Sequence, residues 1–123
     1  MLNMIAVAIG GSIGAVTRYL FSLWAANRFG AGFPYGTLFV NIIGCFIIGC
    51  FMTLVTERVI VNPYWRLLVT VGFVGGLTTF SSYSYETIKL LDSGLYVACL
   101  NLFGNLVLGF MATFAGIFAA KLI

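Results

Sequence analysis

Long apolar runs alternate with short polar punctuation along this chain, and the runs reach the ~20 residues that an α-helix needs to cross a bilayer. The first extends from about Asn3 to Ala26 and ends near Asn27, Arg28 and a Gly30–Gly32 turn. The second, Gly36 to Thr56, carries no charge until Glu57 and Arg58. Asn62 and Pro63 mark the next loop, because proline suits the start of a helix better than its interior. A third run extends from about Tyr64 to Leu91, Asp92, Ser93 and Gly94 form a tight turn, and a fourth run covers Leu95 to Ala120. The pattern predicts an all-α membrane protein with four spans, one domain over residues 1–123, and both termini on the same side.

Composition strengthens this reading. Of 123 residues, 62% are hydrophobic and 7% charged, against about 25% charged in a soluble domain. So few charges cannot keep a small globule wet, which leaves the bilayer as solvent. The first run begins at Leu2 with no basic segment ahead of it and no small-residue cleavage pattern, so it reads as a span rather than a cleaved signal. The absence of histidine removes the usual metal ligand and general base, and nothing suggests an enzyme. Cys45, Cys50 and Cys99 lie in apolar runs without CxxC spacing and read as buried structural thiols. A net charge of +3, dispersed along the chain, gives no reason to expect nucleic-acid binding. Arg58, Arg66 and Lys121 fall on the side of the termini, and Arg18, Arg28 and Lys89 on the other. Such a balance gives almost no positive-inside bias. It suits a single orientation set by other features, or a dual topology with copies inserted both ways up and paired antiparallel.

Helical spacing gathers the small and polar residues onto faces. Gly10, Gly14, Arg18 and Ser22 share one face of the first span, and Thr37, Asn41 and Gly44 one face of the second. Asn101, Asn105, Gly109, Ala112 and Gly116 do so in the fourth. Gly10xxxGly14 and Gly72xxxGly76 are close-approach motifs, and most of these glycines read as tight helix contacts. The asparagines fit a cavity lining as well as they fit interhelical glue. Arg18 and Glu86 are the ionisable residues nearest membrane depth, where such residues default to functional roles. The plainer alternatives are a snorkelling Arg18 and an interfacial pair between Glu86 and Lys89.

Polarity concentrates in GGLTTFSSYSYE, Gly75 to Glu86. Two adjacent glycines cost a helix about 1 kcal/mol each relative to alanine, and the hydroxyls beyond them offer the backbone alternative partners. The stretch predicts a break in the third span near 75–79, whose freed carbonyls suit a cation. Phe80 and Tyr83 share a face, as do Ser81 and Ser84; ring edges carry partial positive charge, so ring edges beside hydroxyl donors suit a small anion. Four helices fill their own centre, so a polar path belongs between subunits of a homo-oligomer. These considerations reach a small oligomeric membrane protein with a polar ion or solute path, and stop short of naming the ion.

GGLTTFSSYSYE, the asparagine in GTLFVNIIG (Gly36 to Gly44) and GGSIGAVTRY (Gly10 to Tyr19) together resemble the Fluc (CrcB-type) fluoride channels, in motif order, length and span number. The resemblance implies an antiparallel, dual-topology homodimer in the bacterial plasma membrane, exporting fluoride passively through two pores. It implies a structural sodium at the dimer interface, held by the backbone carbonyls of Gly75 and Thr78. The family's pore asparagine falls on Asn41 and its paired pore phenylalanines on Phe80 and Tyr83. Ser81 and Ser84 fall on the hydroxyl track, Glu86 near a pore mouth, and Asn105 and Gly109 on the fourth span's share of the path, with Arg18 structural. The chain departs from the family at Tyr83, which adds a hydroxyl, and in the fourth span, where the family often has tyrosine, serine or histidine.

A small multidrug-type cation exporter shares the length, four spans and dual topology, but needs a carboxylate in the first span, where this chain has Arg18 and no acid. A four-helix quinone reductase needs a CxxC pair, and Cys45 and Cys50 are five apart. A non-transporting membrane subunit is the remaining alternative, and it is told apart by a lack of ion flux.

Overall fold

The computed structural model describes all 123 residues, and every element in it is helical. Helix α1 spans Leu2–Phe29 and α2 spans Tyr35–Glu57. Asn62 caps α3 (Pro63–Leu67), its side chain accepting from the Tyr64 N–H at 3.0 Å with Pro63 in the first turn; proline there gives up an N–H that would have no helical partner anyway. The helix then widens into a π-helical segment, Leu68–Val74, and closes through α4 (Gly75–Leu77). Thr78 (φ −84°, ψ 156°) and Thr79 (φ −151°, ψ 122°) are extended, after which α5 covers Phe80–Leu90 and α6 covers Leu95–Leu122. Gly94, at φ 136°, makes the turn between them, a conformation that only glycine adopts without strain.

Four stretches are long and apolar enough to cross a membrane: Leu2–Phe29, Tyr35–Glu57, Pro63–Leu90 and Leu95–Leu122. The protein is therefore a multi-pass membrane protein. The Arg58 guanidinium donates to the Lys121 carbonyl at 3.1 Å, tying the C-terminal ends of α2 and α6 together on one side.

Lipid offers helices no hydrophobic reason to associate, so close backbone approach has to hold them. Two such interfaces organise the chain. Helix α1 lies along the π segment and α4, and α2 lies along α6. In the first, Gly10 and Gly14 interlock with Gly72 and Gly76. A Cβ on Gly10 would run into the Leu68 carbonyl, one on Gly14 into the Phe73 carbonyl, and one on Gly76 into the Gly11 carbonyl. In the second, Gly49 abuts the Thr113 backbone and Gly116 the Phe46 backbone. The glycine faces read from the sequence are these contacts. Only 23 of 123 residues are buried, which leaves most of each helix facing outward. Ile5, Ile9 and Ile13 on α1, and Phe110, Phe114 and Phe118 on α6, are among the exposed apolar side chains. The fully buried volume is thin, and its two largest side chains are Val40 and Asn101. An amide at the deepest point of so apolar a protein marks where the polar chemistry lies.

Gly14→Ala, which drives a methyl into the Phe73 carbonyl, is expected to destabilise the protein by about 1–3 kcal/mol. Gly104→Ala, whose Cβ meets nothing within 4 Å, is expected to leave stability unchanged or slightly raised. Thermal unfolding in detergent compares the two, and equal midpoints would contradict the glycine interlock.

Candidate functional site

The two extended residues take the chain out of the helical ladder between α4 and α5. A continuous helix would give the Thr79 N–H to the Gly75 carbonyl; here it goes to Asn41 Oδ1 on α2, at 2.9 Å. Asn41 Nδ2 in turn donates to the Thr79 carbonyl at 3.2 Å. One side chain thus serves both backbone groups of one residue, as a neighbouring strand would. The second Asn41 hydrogen goes to Asn105 Oδ1 on α6 at 2.9 Å.

Both threonines hold the interruption in place. Thr78 donates its N–H and its hydroxyl to the Val74 carbonyl, both at 2.9 Å, finishing the preceding helix. Thr79 Oγ1 accepts from the Ser82 N–H at 3.2 Å and caps α5, the usual role of a threonine at that position. Its hydroxyl also donates to Ser82 Oγ at 3.1 Å and lies 3.3 Å from Ser81 Oγ. Arg18 reaches the Thr78 carbonyl from α1 at 3.4 Å, and so turns inward to the interruption rather than out to the membrane surface. The methyl of Thr78 fills the place where a Cβ on Gly44 would sit. Gly75 and Gly76 themselves stay helical, with Gly75 at φ −62°, ψ −36°. The departure from helix falls on the threonines because these, not the glycines, find partners outside the ladder.

A groove of about 290 Å³ opens beside the interruption, lined in part by Asn41, Cys45, Thr79, Phe80, Tyr83 and Asn105. Phe80 and Tyr83 lie with ring centroids 5.7 Å apart at 58°. They differ in surroundings: Phe80 is 77% exposed and Tyr83 only 5%. The Tyr83 hydroxyl, the group that departs from the family pattern, donates to the Leu102 carbonyl on α6 at 2.8 Å and so points away from the groove. Ser84 bonds back to the Phe80 carbonyl at 2.9 Å, and neither Ser81 nor Ser84 lines the groove. Gly109 is absent from the lining as well, standing where a Cβ would lie 3.4 Å from Cys45 Sγ. Gly75 is exposed on the outer face of the chain.

Glu86 belongs to a different cavity, a cleft of about 460 Å³ between the α1–α2 turn and α5 that Lys89 also lines. Its Oε1 accepts from the Thr37 hydroxyl at 2.8 Å, and its Oε2 is buried without a partner. The alternative pairing of Glu86 with Lys89 does not form. Asn41, Phe80, Tyr83 and Asn105 are therefore brought together with Thr78 at one groove, while Glu86 stands apart. The sequence placed Thr79 only at the end of the expected break and passed over Thr87. Both lie at steps of four from Tyr83, which was the available signal.

Residues 5–117 match the family described as CrcB-like protein, Camphor Resistance (CrcB). The chain is 47% identical to the Fluoride-specific ion channel FluC of Sulfurihydrogenibium sp. (strain YO3AOP1), over the whole length of both. It is 46% identical to the protein of that name from Roseiflexus sp. (strain RS-1), covering 99% of each, and 43% identical to that of Solibacter usitatus (strain Ellin6076), covering 98% of this chain and 99% of the other. A groove at an interrupted span, four spans in all, and relatives matched end to end lead to one conclusion: this chain belongs to the CrcB family.

Proposed function

We propose that this protein is a passive, fluoride-selective channel that exports fluoride across a bacterial plasma membrane. The observation that carries the reading is full-length similarity to proteins named Fluoride-specific ion channel FluC. The groove supplies a chemistry in keeping with it. Helix α5 begins at the groove, and the first N–H groups of a helix lack intrahelical acceptors and carry partial positive charge. The Phe80 and Tyr83 rings offer edges to an anion. Fluoride is the smallest halide and the strongest hydrogen-bond acceptor among them, so it gains most from closely set donors, whereas chloride is larger and gains less.

In this reading Asn41 acts chiefly by holding the Thr79 backbone, since both of its hydrogens and its oxygen are engaged. Asn105 supports Asn41, and Gly109 gives Cys45 room beside the path. Ser81 and Ser84 continue the path along α5, and Glu86 stands with Thr37 at one mouth.

The groove is a furrow on the outer surface, as the 77% exposure of Phe80 indicates, and one chain does not wall it in. An antiparallel, dual-topology homodimer closes it, in keeping with the even distribution of basic residues. The same arrangement bears on sodium, a hard cation that takes oxygen ligands. One chain offers the Gly75 carbonyl, which has lost its donor at Thr79, and the Thr78 carbonyl, which already accepts from Arg18. Two carbonyls are half a site, so sodium fits only where a second copy brings the same pair. Bound there it would neutralise the carbonyl dipoles and join the two interrupted spans.

Fluoride efflux from liposomes holding the purified protein, with chloride as control, tests the channel. Rapid release of fluoride without chloride is the expected result, and no release from a folded dimer would dismiss the reading in favour of a non-transporting subunit. Phe80→Ile and Asn41→Ala are expected to lower the flux at least about tenfold, on the scale of one lost hydrogen bond or ring contact, with the dimer intact on size exclusion. Tyr83→Phe, by contrast, removes a hydroxyl that serves Leu102. It is expected to cost about 1 kcal/mol of stability and leave fluoride flux near wild type; a large loss of flux would place that hydroxyl in the path. Replacing sodium by potassium or N-methylglucamine is expected to lower the dimer's thermal midpoint, and equal midpoints in all three salts would remove sodium from the structure.

A further inference from the structure

Behind the groove the hydrogen bonds continue in a directed series. Thr87, on α5, has one hydroxyl proton and gives it to the Tyr83 carbonyl at 2.7 Å. Towards α6 it can then only accept, and it accepts from Asn101 Nδ2 at 2.8 Å. This fixes the Asn101 amide with nitrogen to Thr87 and oxygen to Asn105. Asn105 Nδ2 donates to Asn101 Oδ1 at 3.2 Å and to the Asn101 carbonyl at 3.1 Å. Asn105 is thereby turned with its oxygen towards α2, where it accepts from Asn41 Nδ2. Asn41 is left with its oxygen on the Thr79 N–H and its other hydrogen on the Thr79 carbonyl. Each amide is oriented by the one before it. The series leaves α5 at Thr87 and rejoins the same strand of chain at Thr79, eight residues earlier.

Neither Asn101, which is fully buried, nor Thr87, which is buried, lines the groove. An amide reversed anywhere along the series would set like group against like, since nitrogen only donates and oxygen only accepts. Resting on the channel reading above, we infer that Asn101 and Thr87 are positioning residues for conduction. Through Asn105 and Asn41 they fix the extended backbone at Thr79, and with it the placement of Phe80 on the groove wall. A role as interhelical glue alone would hold α5 to α6 without any effect on Thr79.

The experiment compares wild-type protein with Thr87→Val, Thr87→Ser, Asn101→Leu, Asn41→Ala and the Asn101→Leu/Asn41→Ala double variant. Fluoride efflux from liposomes is measured alongside hydrogen exchange over the Thr78–Tyr83 segment. Thr87→Val and Asn101→Leu are each expected to lower efflux about tenfold, on the scale of one buried hydrogen bond, and to speed exchange in that segment while the α1 interface with Leu68–Leu77 stays protected. Thr87→Ser, which keeps the hydroxyl, is expected to restore both readouts. Asn101→Leu is expected to add nothing once Asn41 is already alanine, because residues acting through one another are not additive. Wild-type efflux and exchange in Thr87→Val would overturn the inference, and so would losses that multiply in the double variant, the signature of independent glue. If the wild-type protein released no fluoride, the channel reading would fall instead, and the exchange measurement would still decide whether Thr87 and Asn101 govern Thr79.

Discussion

A backbone N–H that leaves the helical ladder inside a bilayer has no water to turn to, and at Thr79 it is met by the amide oxygen of Asn41, whose nitrogen also reaches the Thr79 carbonyl. The rest of the polar architecture follows from that one pairing. An asparagine at this depth can serve a backbone only if its own remaining hydrogen is satisfied, which requires Asn105. Asn105 in turn has an NH₂ to satisfy, which requires Asn101. Leaving any of these groups unpartnered would cost about 1–3 kcal/mol, so two non-helical residues commit three helices to a common geometry. The glycine contacts between α1 and Leu68–Leu77 do the complementary work. They hold the preceding half of the third span rigidly by backbone contact, so that the departure from helix is confined to Thr78 and Thr79.

Much of this was legible in the sequence, and for identifiable reasons. The four spans followed from apolar length and the scarcity of charge, and the CrcB family from three motifs in register. Helical spacing put Asn41 with Gly44, and Asn101 with Asn105, on common faces, and in the fold these faces meet. The limits are equally physical. The break expected near 75–79 narrows to its last two residues: GlyGly is a poor helix former, yet lipid punishes an unmet backbone group far more than water does, and the residues that leave the ladder are those with outside partners, Thr78 and Thr79. Partnership between α2 and α5 is a tertiary fact that no local spacing encodes. The same holds for the Tyr83 hydroxyl, whose destination at Leu102 lies nineteen residues away, and for Glu86, which sits two turns from Phe80 on one helix yet opens on a different cavity.

The hydroxyls along α5 illustrate how a motif can be read correctly in composition and differently in role. Ser84 bonds back to Phe80, Thr87 to Tyr83 and Thr79 to the start of its own helix. The two back-bonds satisfy hydroxyls that would otherwise be unpartnered at membrane depth, and the Thr79 cap holds the start of a short helix that begins abruptly there, demands that exist whether or not an ion passes. A hydroxyl engaged in this way can still accept, but its proton is already assigned.

Prior engagement of donors bears on selectivity in the proposed channel. An anion at the groove would have to draw the Asn41 amide away from the Thr79 carbonyl and the Asn105 oxygen it already serves, or use the N–H groups at the start of α5 that have no helical acceptor. A weak acceptor gains too little to compete with a backbone carbonyl, while a compact and basic anion such as fluoride gains more from each donor it captures. A site whose donors are partly satisfied at rest therefore discriminates by acceptor strength as well as by size.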